Sequence, residues 1–407
     1  MLFPEFHVKI RLSYYKERGK RNMTIKNIAD KAFSFLKNET VLSIAVILAI
    51  ISSFFVKPDK NYLEYIDYRT LALLFCLMAV MAGLQKTGVF SMLAERMLKR
   101  VHGVKSLTFT LIMLCFFFSM FITNDVALIT FIPFTFTVLN MIDKNEKDRL
   151  IIPVVAMQTI AANLGSMLTP IGNPQNLYLH GISGMGVGEF IVLMLPYATI
   201  SFLLLTVWVR LKKGKGGIKI NFPVSVHIED KKKIRIYLIA FLVCLLTVTH
   251  LIDYKITLCL VAVLIFIADY RIFAKVDYTL LLTFTAFFIF IGNMGRIPVF
   301  ENYIKRVIDG RECITGILSS QLISNVPAAL LLSGFTDHFT PLIIGVNLGG
   351  LGTLIASMAS LISFKLLGRE NKSLKGKYLI YFTVSNILFL AVLLAAYYIL
   401  GSFLPQK

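Results

Sequence analysis

Apolar runs of about twenty residues recur along the chain, separated by short polar connections. Their length favours helices that cross a bilayer over strands, because ~20 helical residues cover ~30 Å of hydrocarbon. The pattern predicts spans at about 40–56, 68–85, 149–176, 187–210, 236–252, 256–270, 278–296, 340–366 and 378–402. Two further apolar regions, 106–142 and 312–336, each place a polar tip between arms of roughly fifteen residues. Such arms suit re-entrant helical hairpins. The expected fold is an all-α polytopic membrane protein with about nine spans, two re-entrant hairpins and broken helices at the midplane.

Composition agrees. Of 407 residues, 57% are hydrophobic and 16% charged, with a mean hydropathy of +0.74. Soluble domains are about half apolar and about a quarter charged. The formal net charge of +19 first suggests a nucleic-acid partner. Its placement argues for the positive-inside rule instead, and no nucleic-acid partner is expected. Basic residues crowd the first forty positions (Lys9, Arg11, Lys16, Arg18, Lys20, Arg21), the stretch 86–105, the loop 211–235 and the loop 369–377. All four are cytoplasmic if 106–142 enters and leaves on one side, and 312–336 does the same from the other. Two full spans at 106–142 give the same parity, so charge alone leaves both readings open. The expected orientation in the cell membrane is N-terminus cytoplasmic and C-terminus outside.

Cys76, Cys115, Cys244, Cys259 and Cys313 show no metal or disulfide spacing and read as small core hydrophobes. The six histidines form no metal-binding cluster, no P-loop is present, and no cleavable signal is evident. An enzyme is therefore not expected, nor a bound cofactor.

The chain repeats itself. "DYRTLALLFCLMAVMAGLQKTGVF" (67–90) has a counterpart in "DYTLLLTFTAFFIFIGNMGRIPVF" (277–300). "FITNDVALITFIPF" (121–134) pairs with "LISNVPAALLLSGF" (322–335), and "NLGSMLTPIGN" (163–173) with "NLGGLGTLIAS" (347–357). Under the charge-derived orientation the copies are inverted, an architecture in which secondary transporters place their site where the copies meet. The expected organisation is a basic tail (1–39), a first transmembrane repeat (40–210), a linker (211–235), a linking span (236–255) and a second inverted repeat (256–407).

The stretch "NLGSMLTPIGNPQNLYL" (163–179) writes a turn into an apolar span: Asn163, Gly165, Ser166, Thr169, Gly172, Asn173 and Asn176 accompany two prolines. Pro170 and Pro174 each remove a helical donor, and Gly172 permits conformations a β-carbon forbids. A broken helix exposes carbonyls that hold cations and N–H groups that attract anions. A plain proline kink is the alternative. The break in the second half, which lacks Gly-Asn-Pro, is expected to be shallower. The tips Thr123-Asn124-Asp125 and Ser324-Asn325-Val326-Pro327 match ligand sites and equally match capped helix starts.

Paired Asn-bearing tips, each followed by an Asn-Leu-Gly-rich broken helix, resemble the ion-transporter superfamily. It includes citrate and di- or tricarboxylate transporters, arsenite permeases and a class of Na⁺/H⁺ antiporters. The likeness covers 67–210 and 277–402. It implies an elevator-like secondary transporter, commonly a homodimer. Thr123, Asn124, Gly165, Thr169 and Asn173 would form one half-site, and Ser324, Asn325, Gly349, Thr353 and Ser357 the other, with Asn347 matching Asn163. Sodium-coupled dicarboxylate members carry Ser-Asn-Thr at both tips; here they read Thr-Asn-Asp and Ser-Asn-Val. Asp125 is an ionisable residue at membrane depth and is expected to carry the coupling Na⁺ or H⁺, with Asn124 and Asn173 as further Na⁺ ligands. The expected cargo is a small anion, a carboxylate or an inorganic oxyanion. A Na⁺/H⁺ antiporter or arsenite permease fits Asp125 more easily, and a channel is the alternative of another class. Asp67 and Asp277 read as helix caps, Asp269 as an interfacial residue, and His180 as interfacial near the outer surface.

Overall fold

The computed structural model describes residues 39–99, 101–212 and 230–401, and every regular element among them is helical. The expected basic tail, except Glu39, and most of the expected linker 211–235 lie outside the described residues. The first half runs α1 (Thr40–Phe55), a one-turn helix (Asn61–Glu64), α2 (Tyr68–Lys86), α3 (Val89–Leu98), α4 (Val104–Ile122), α5 (Asn124–Leu139), α6 (Lys144–Ser166), α7 (Pro174–Ser183) and α8 (Val187–Leu211). After α9 (Lys231–Val248) come α10 (Tyr254–Asp269), a 3₁₀ turn (Tyr270–Lys275), α11 (Tyr278–Gly295), α12 (Pro298–Ile308), α13 (Glu312–Ile323) and α14 (Asn325–Ser333). The chain finishes with α15 (Phe339–Leu348), α16 (Met358–Glu370) and α17 (Lys375–Gly401).

Among the described residues, seven helices are long and apolar enough to cross a membrane: α2, α4, α6, α8, α10 with its 3₁₀ extension, α11 and α17. The expected spans 40–56 and 236–252 are helices of 16 and 18 residues that fall outside this set. In the latter, the first turn is spent on Lys231, Lys232 and Lys233. The expected span 340–366 is divided into α15 and α16. One expectation is corrected at α4. With no proline or internal glycine to stop it, this arm runs for 19 residues and is long enough to cross by itself.

Packing is reciprocal between the halves. α1 lies against α11, and α10 against α2; α9 touches both α2 and α10. α4 and α5 pack on α6, while α13 and α14 pack on α15. α5 reaches across to α16, and α14 across to α7. α6 is the most enclosed of the seven, with 83% of its membrane-length stretch buried against 22% for α17. The expected caps are present: Asp67 accepts from the Thr70 N–H and Asp277 from the Leu280 N–H, each at 3.0 Å. Asp269 pairs with Lys86, tying the end of α10 to the end of α2.

Two polar spots fix how closely these helices approach. A β-carbon on Gly165 would run into the Phe116 carbonyl and the Ser119 hydroxyl of α4. A β-carbon on Gly349 would meet Ser320 of α13. In the first pair the obstacle includes rigid backbone, and in the second chiefly a serine side chain. Gly165→Ala is therefore expected to destabilise the folded protein by about 1–3 kcal/mol, and Gly349→Ala by less. Thermal unfolding of the two variants in detergent checks the order; equal midpoints would show that α4 and α6 separate as easily as α13 and α15.

Candidate transport site between two helix breaks

The tips are single residues in strained backbone. Thr123 (φ 61°) separates α4 from α5, and Ser324 (φ 74°) separates α13 from α14. With ψ near 150° both occupy a region that β-carbon residues avoid, at a cost of roughly 1–3 kcal/mol each. Neither side chain caps the following helix, so a capped helix start does not explain these residues.

Opposite each tip the long helix comes apart, at 167–173 between α6 and α7 and at 349–357 between α15 and α16. The second break is not the shallower one, contrary to expectation. Glycine does there what proline does in the first half: Gly352 sits at φ 119° inside a Gly-rich turn.

The freed backbone is paired in the same way in both halves. The Asn124 N–H donates to the Gly172 carbonyl at 3.2 Å, and the Asn325 N–H to the Ala356 carbonyl at 3.0 Å. The Thr169 hydroxyl donates to the Met120 carbonyl at 2.5 Å, and the Thr353 hydroxyl to the Gln321 carbonyl at 3.4 Å. Gln321 also donates to the Gly349 and Leu351 carbonyls at 3.0 and 2.9 Å. Each break is thus laced to its own tip.

Asparagines then lace the halves together. Buried Asn163 accepts from the Asn124 amide at 3.0 Å and from the Ser357 hydroxyl at 3.1 Å, and it donates to the Gly350 carbonyl at 3.2 Å. Asn347 donates to the Asn176 side chain at 2.7 Å. Asn173 donates to the Ser166 hydroxyl at 2.7 Å, and Asn176 to the Ser166 and Thr169 carbonyls.

A small cavity of about 20 Å³ lies where these elements meet. Asn124 and Asp125 of α5, Asn173, Pro174 and Gln175 around the start of α7, Asn325 and Val326 of α14, and Ser357 and Met358 around the start of α16 line it. Four helix N-termini therefore converge on one point, each presenting the positive end of its dipole. Asp277 and Leu280 of α11 complete the wall. No lining residue is basic. The volume suits one water-sized occupant and excludes a polycarboxylate in this conformation.

Of the residues expected from sequence, Asn124, Asp125, Asn173, Asn325 and Ser357 line the cavity. Asn163, Ser166, Asn176 and Asn347 stand behind it as buried hydrogen-bonding residues. Gly165 and Gly349 serve close helix packing, Gly172 supplies its carbonyl, and Thr123, Ser324, Thr169 and Thr353 shape the tips and breaks. His180 is a correction: it is 1% exposed, its Nε2 lacks a partner, and its ring lies 6.0 Å from that of His250. The α7 segment that carries it packs against α2.

Two polar residues of the cavity were not singled out as ligands from sequence. Gln175 is fully buried with both amide atoms unpartnered, and the signal was a glutamine directly after Asn-Pro in an apolar span. Asp277 caps its helix and also faces the cavity that holds Asp125, whose Oδ1 is buried without a hydrogen-bond partner. Only tertiary packing brings the two carboxylates to one cavity.

An all-helical protein with membrane-length apolar helices and a polar cavity between interrupted ones belongs to the class of membrane transporters. The chain is a member of the citrate transporter family, which it matches over residues 28–339. It is 32% identical over 355 residues to the Uncharacterized transporter MJ0456 of Methanocaldococcus jannaschii, covering 87% of this chain and 95% of that one. It is 31% identical over 338 residues to the inner membrane protein YbiR of Escherichia coli, covering 81% and 88%. Similarity to the silicon efflux transporter LSI3 of Oryza sativa subsp. japonica is confined to 141 residues at 30% identity, 35% of this chain and 28% of that one.

Asn163 is the junction of this network. Asn163→Ala strands the Asn124 amide, the Ser357 hydroxyl and the Gly350 carbonyl in a dry interior, and the expected loss of stability is roughly 3 kcal/mol. Thermal or denaturant unfolding measures it. An unchanged midpoint would mean that water replaces the amide at no cost.

Proposed function

We propose that this protein is a secondary active transporter that moves a small anion, coupled to Na⁺ or H⁺ at Asp125. The observation that carries the reading is the convergence of four helix N-termini on a cavity that also holds an unpartnered carboxylate oxygen. Helix N-termini stabilise anions through N–H donors and the helix dipole, so an anion can be held here without lysine or arginine. Asp125 opposes that anion unless a cation or proton neutralises it first. The cation therefore binds before the anion or together with it, which is the basis of coupling. Asn124 and Asn173, beside Asp125, supply amide oxygens for Na⁺. The unpartnered amide of Gln175 is available to the cargo.

The reciprocal contacts of α1 with α11 and α10 with α2, and of α5 with α16 and α14 with α7, support an inverted repeat. In this reading α13–α14 is a re-entrant hairpin, and α4–α5, whose first arm is long enough to cross, returns to the face it left. The two pairs enter from opposite faces, the N-terminus is cytoplasmic and the C-terminus outside. The homodimer and the elevator movement belong to the same reading. Because the cavity holds only a water-sized occupant, the cargo enters a state in which the tips have drawn apart.

A second reading has its own support. Two carboxylates, Asp125 and Asp277, face a cavity with no basic residue. That balance suits a neutral hydroxide cargo such as arsenous or silicic acid, or a Na⁺/H⁺ exchange. Uptake of labelled citrate, sulfate, phosphate and arsenite into proteoliposomes, with and without imposed Na⁺ and pH gradients, separates the two. Under the first reading, anion flux follows one gradient, and Asp125→Asn lowers it by about ten-fold or more while removing its dependence on that gradient. Gradient-dependent anion flux left intact in Asp125→Asn would overturn the assignment.

A further inference from the structure

At one end of the bundle, away from the transport cavity, three basic side chains meet beside an apolar groove. A cavity of about 220 Å³ is lined by Lys105 at the start of α4, Arg149 of α6 and Lys212 just after α8, together with Pro153 and Trp208. Among the described residues that line it, none is acidic. The cations are held by uncharged groups for the most part. Lys105 donates to the Arg210 carbonyl at 3.1 Å. The Lys212 ammonium lies 4.8 Å from the Trp208 ring centre and 5.4 Å from that of Tyr381. Arg149 is shared with Glu146 at 3.0 Å, which offsets part of its charge.

Directly beside it a second cavity, of about 360 Å³, runs between α6, α8 and α17. Trp208 lines both, and the Tyr381 ring that faces Lys212 lines this one. Its other walls are almost wholly apolar: Met157, Ile380, Val384 and Leu388, with Phe389 at the far end. From Ile380 to Phe389 the α17 wall is ~13 Å long at 1.5 Å per residue. Arg149, Pro153 and Met157 follow one face of α6 at four-residue spacing and lead from the charged cavity into the groove.

We propose that this composite site binds an anionic phospholipid, with the phosphate among Lys105, Arg149 and Lys212 and one acyl chain in the groove past Trp208. Charge complementarity selects the occupant. Three cations at the mouth of an apolar channel match a molecule that is anionic at one end and hydrocarbon at the other, and an indole at the join suits the headgroup boundary. A free anion explains the cations and leaves the groove unused. A neutral lipid explains the groove and leaves the cations unused. The lipid would sit between α6, the helix that runs into the first break, and the peripheral helices α8 and α17, so its occupancy bears on how freely α6 moves.

The test uses native mass spectrometry on the full-length protein in mild detergent, titrated with phosphatidylglycerol and phosphatidylcholine of identical chains. Phosphatidylglycerol is expected to be retained about ten-fold better. Lys105→Gln/Lys212→Gln is expected to abolish the preference. Ser385→Trp, which fills the groove and touches no charge, is expected to reduce retention of the lipid. Lys212→Gln alone, at a half-exposed position, guards against misfolding of the double variant and should lose part of the preference. Inorganic phosphate at millimolar concentration should not displace the lipid. Equal retention of the two lipids, no response to the charge or groove substitutions, or displacement by phosphate alone would each overturn the proposal.

Discussion

Every other feature of the site depends on one constraint: two stretches of unwound backbone interrupt apolar helices, the first buried and the second exposed only around Thr353 and Ile355, and their peptide groups need partners. The chain meets it by setting each break against the tip of its own helix pair. The N–H that starts α5 goes to the Gly172 carbonyl, and the N–H that starts α14 goes to the Ala356 carbonyl. The positive φ of Thr123 and Ser324 follows from this demand, because each tip must turn its next N–H outward toward the break instead of into helix. The strain at the tips and the hydrogen bonds at the breaks are one device. The glycines then become intelligible: the lacing works only if α6 lies hard against α4 and α15 against α13, which Gly165 and Gly349 permit.

Lacing within each half does not by itself unite the halves. That falls to Asn163, which serves its own tip through Asn124 and the other break through Ser357 and Gly350, and to the Asn347–Asn176 bond running the opposite way. A tip that moves must therefore carry both breaks with it or part from Asn163. The core favours the former. α5 packs on α16 and α14 on α7, so each pair is already joined to the other half's second helix segment. In the proposed elevator reading the interrupted helices and their tips would move as a block, with α1, α2 and α9 to α11 packed among themselves.

Much of this was legible in the chain. "TPIGNPQN" and the paired Asn-bearing tips located the first break and both tips, because Pro, Gly and Asn state their backbone consequences locally. The second break was underestimated for the same reason: without proline, "GGLGTL" does not announce that Gly352 takes a positive φ. The role of Thr169 and Thr353 was hidden, since both look like ligands until the Met120 and Gln321 carbonyls appear beside them. Gln175 and Asp277 were hidden differently. A glutamine beside a proline and an aspartate at a cap are each explained locally, and what makes them cavity residues is the approach of α7 and α11 to α5. His180 shows the converse failure, because its place near a helix end suggested exposure that packing against α2 removes.

The electrostatics of the cavity are set by opposed and unequal means. Four helix N-termini contribute fractional positive charge from fixed backbone, which is present in every state and cannot be titrated. The two carboxylates contribute full negative charge that can be neutralised. In the proposed reading, such a site repels an anion less once a proton or Na⁺ neutralises Asp125. The second half carries Val326 where the first carries Asp125, and Ala359 where the first carries Gln175, so in the proposed reading the switch at the tips lies in the first half. Two such switches would demand two cations for each anion admitted. Under the proposed coupling, a single acid at the tips is the more economical way to make entry of an anion conditional on entry of a cation.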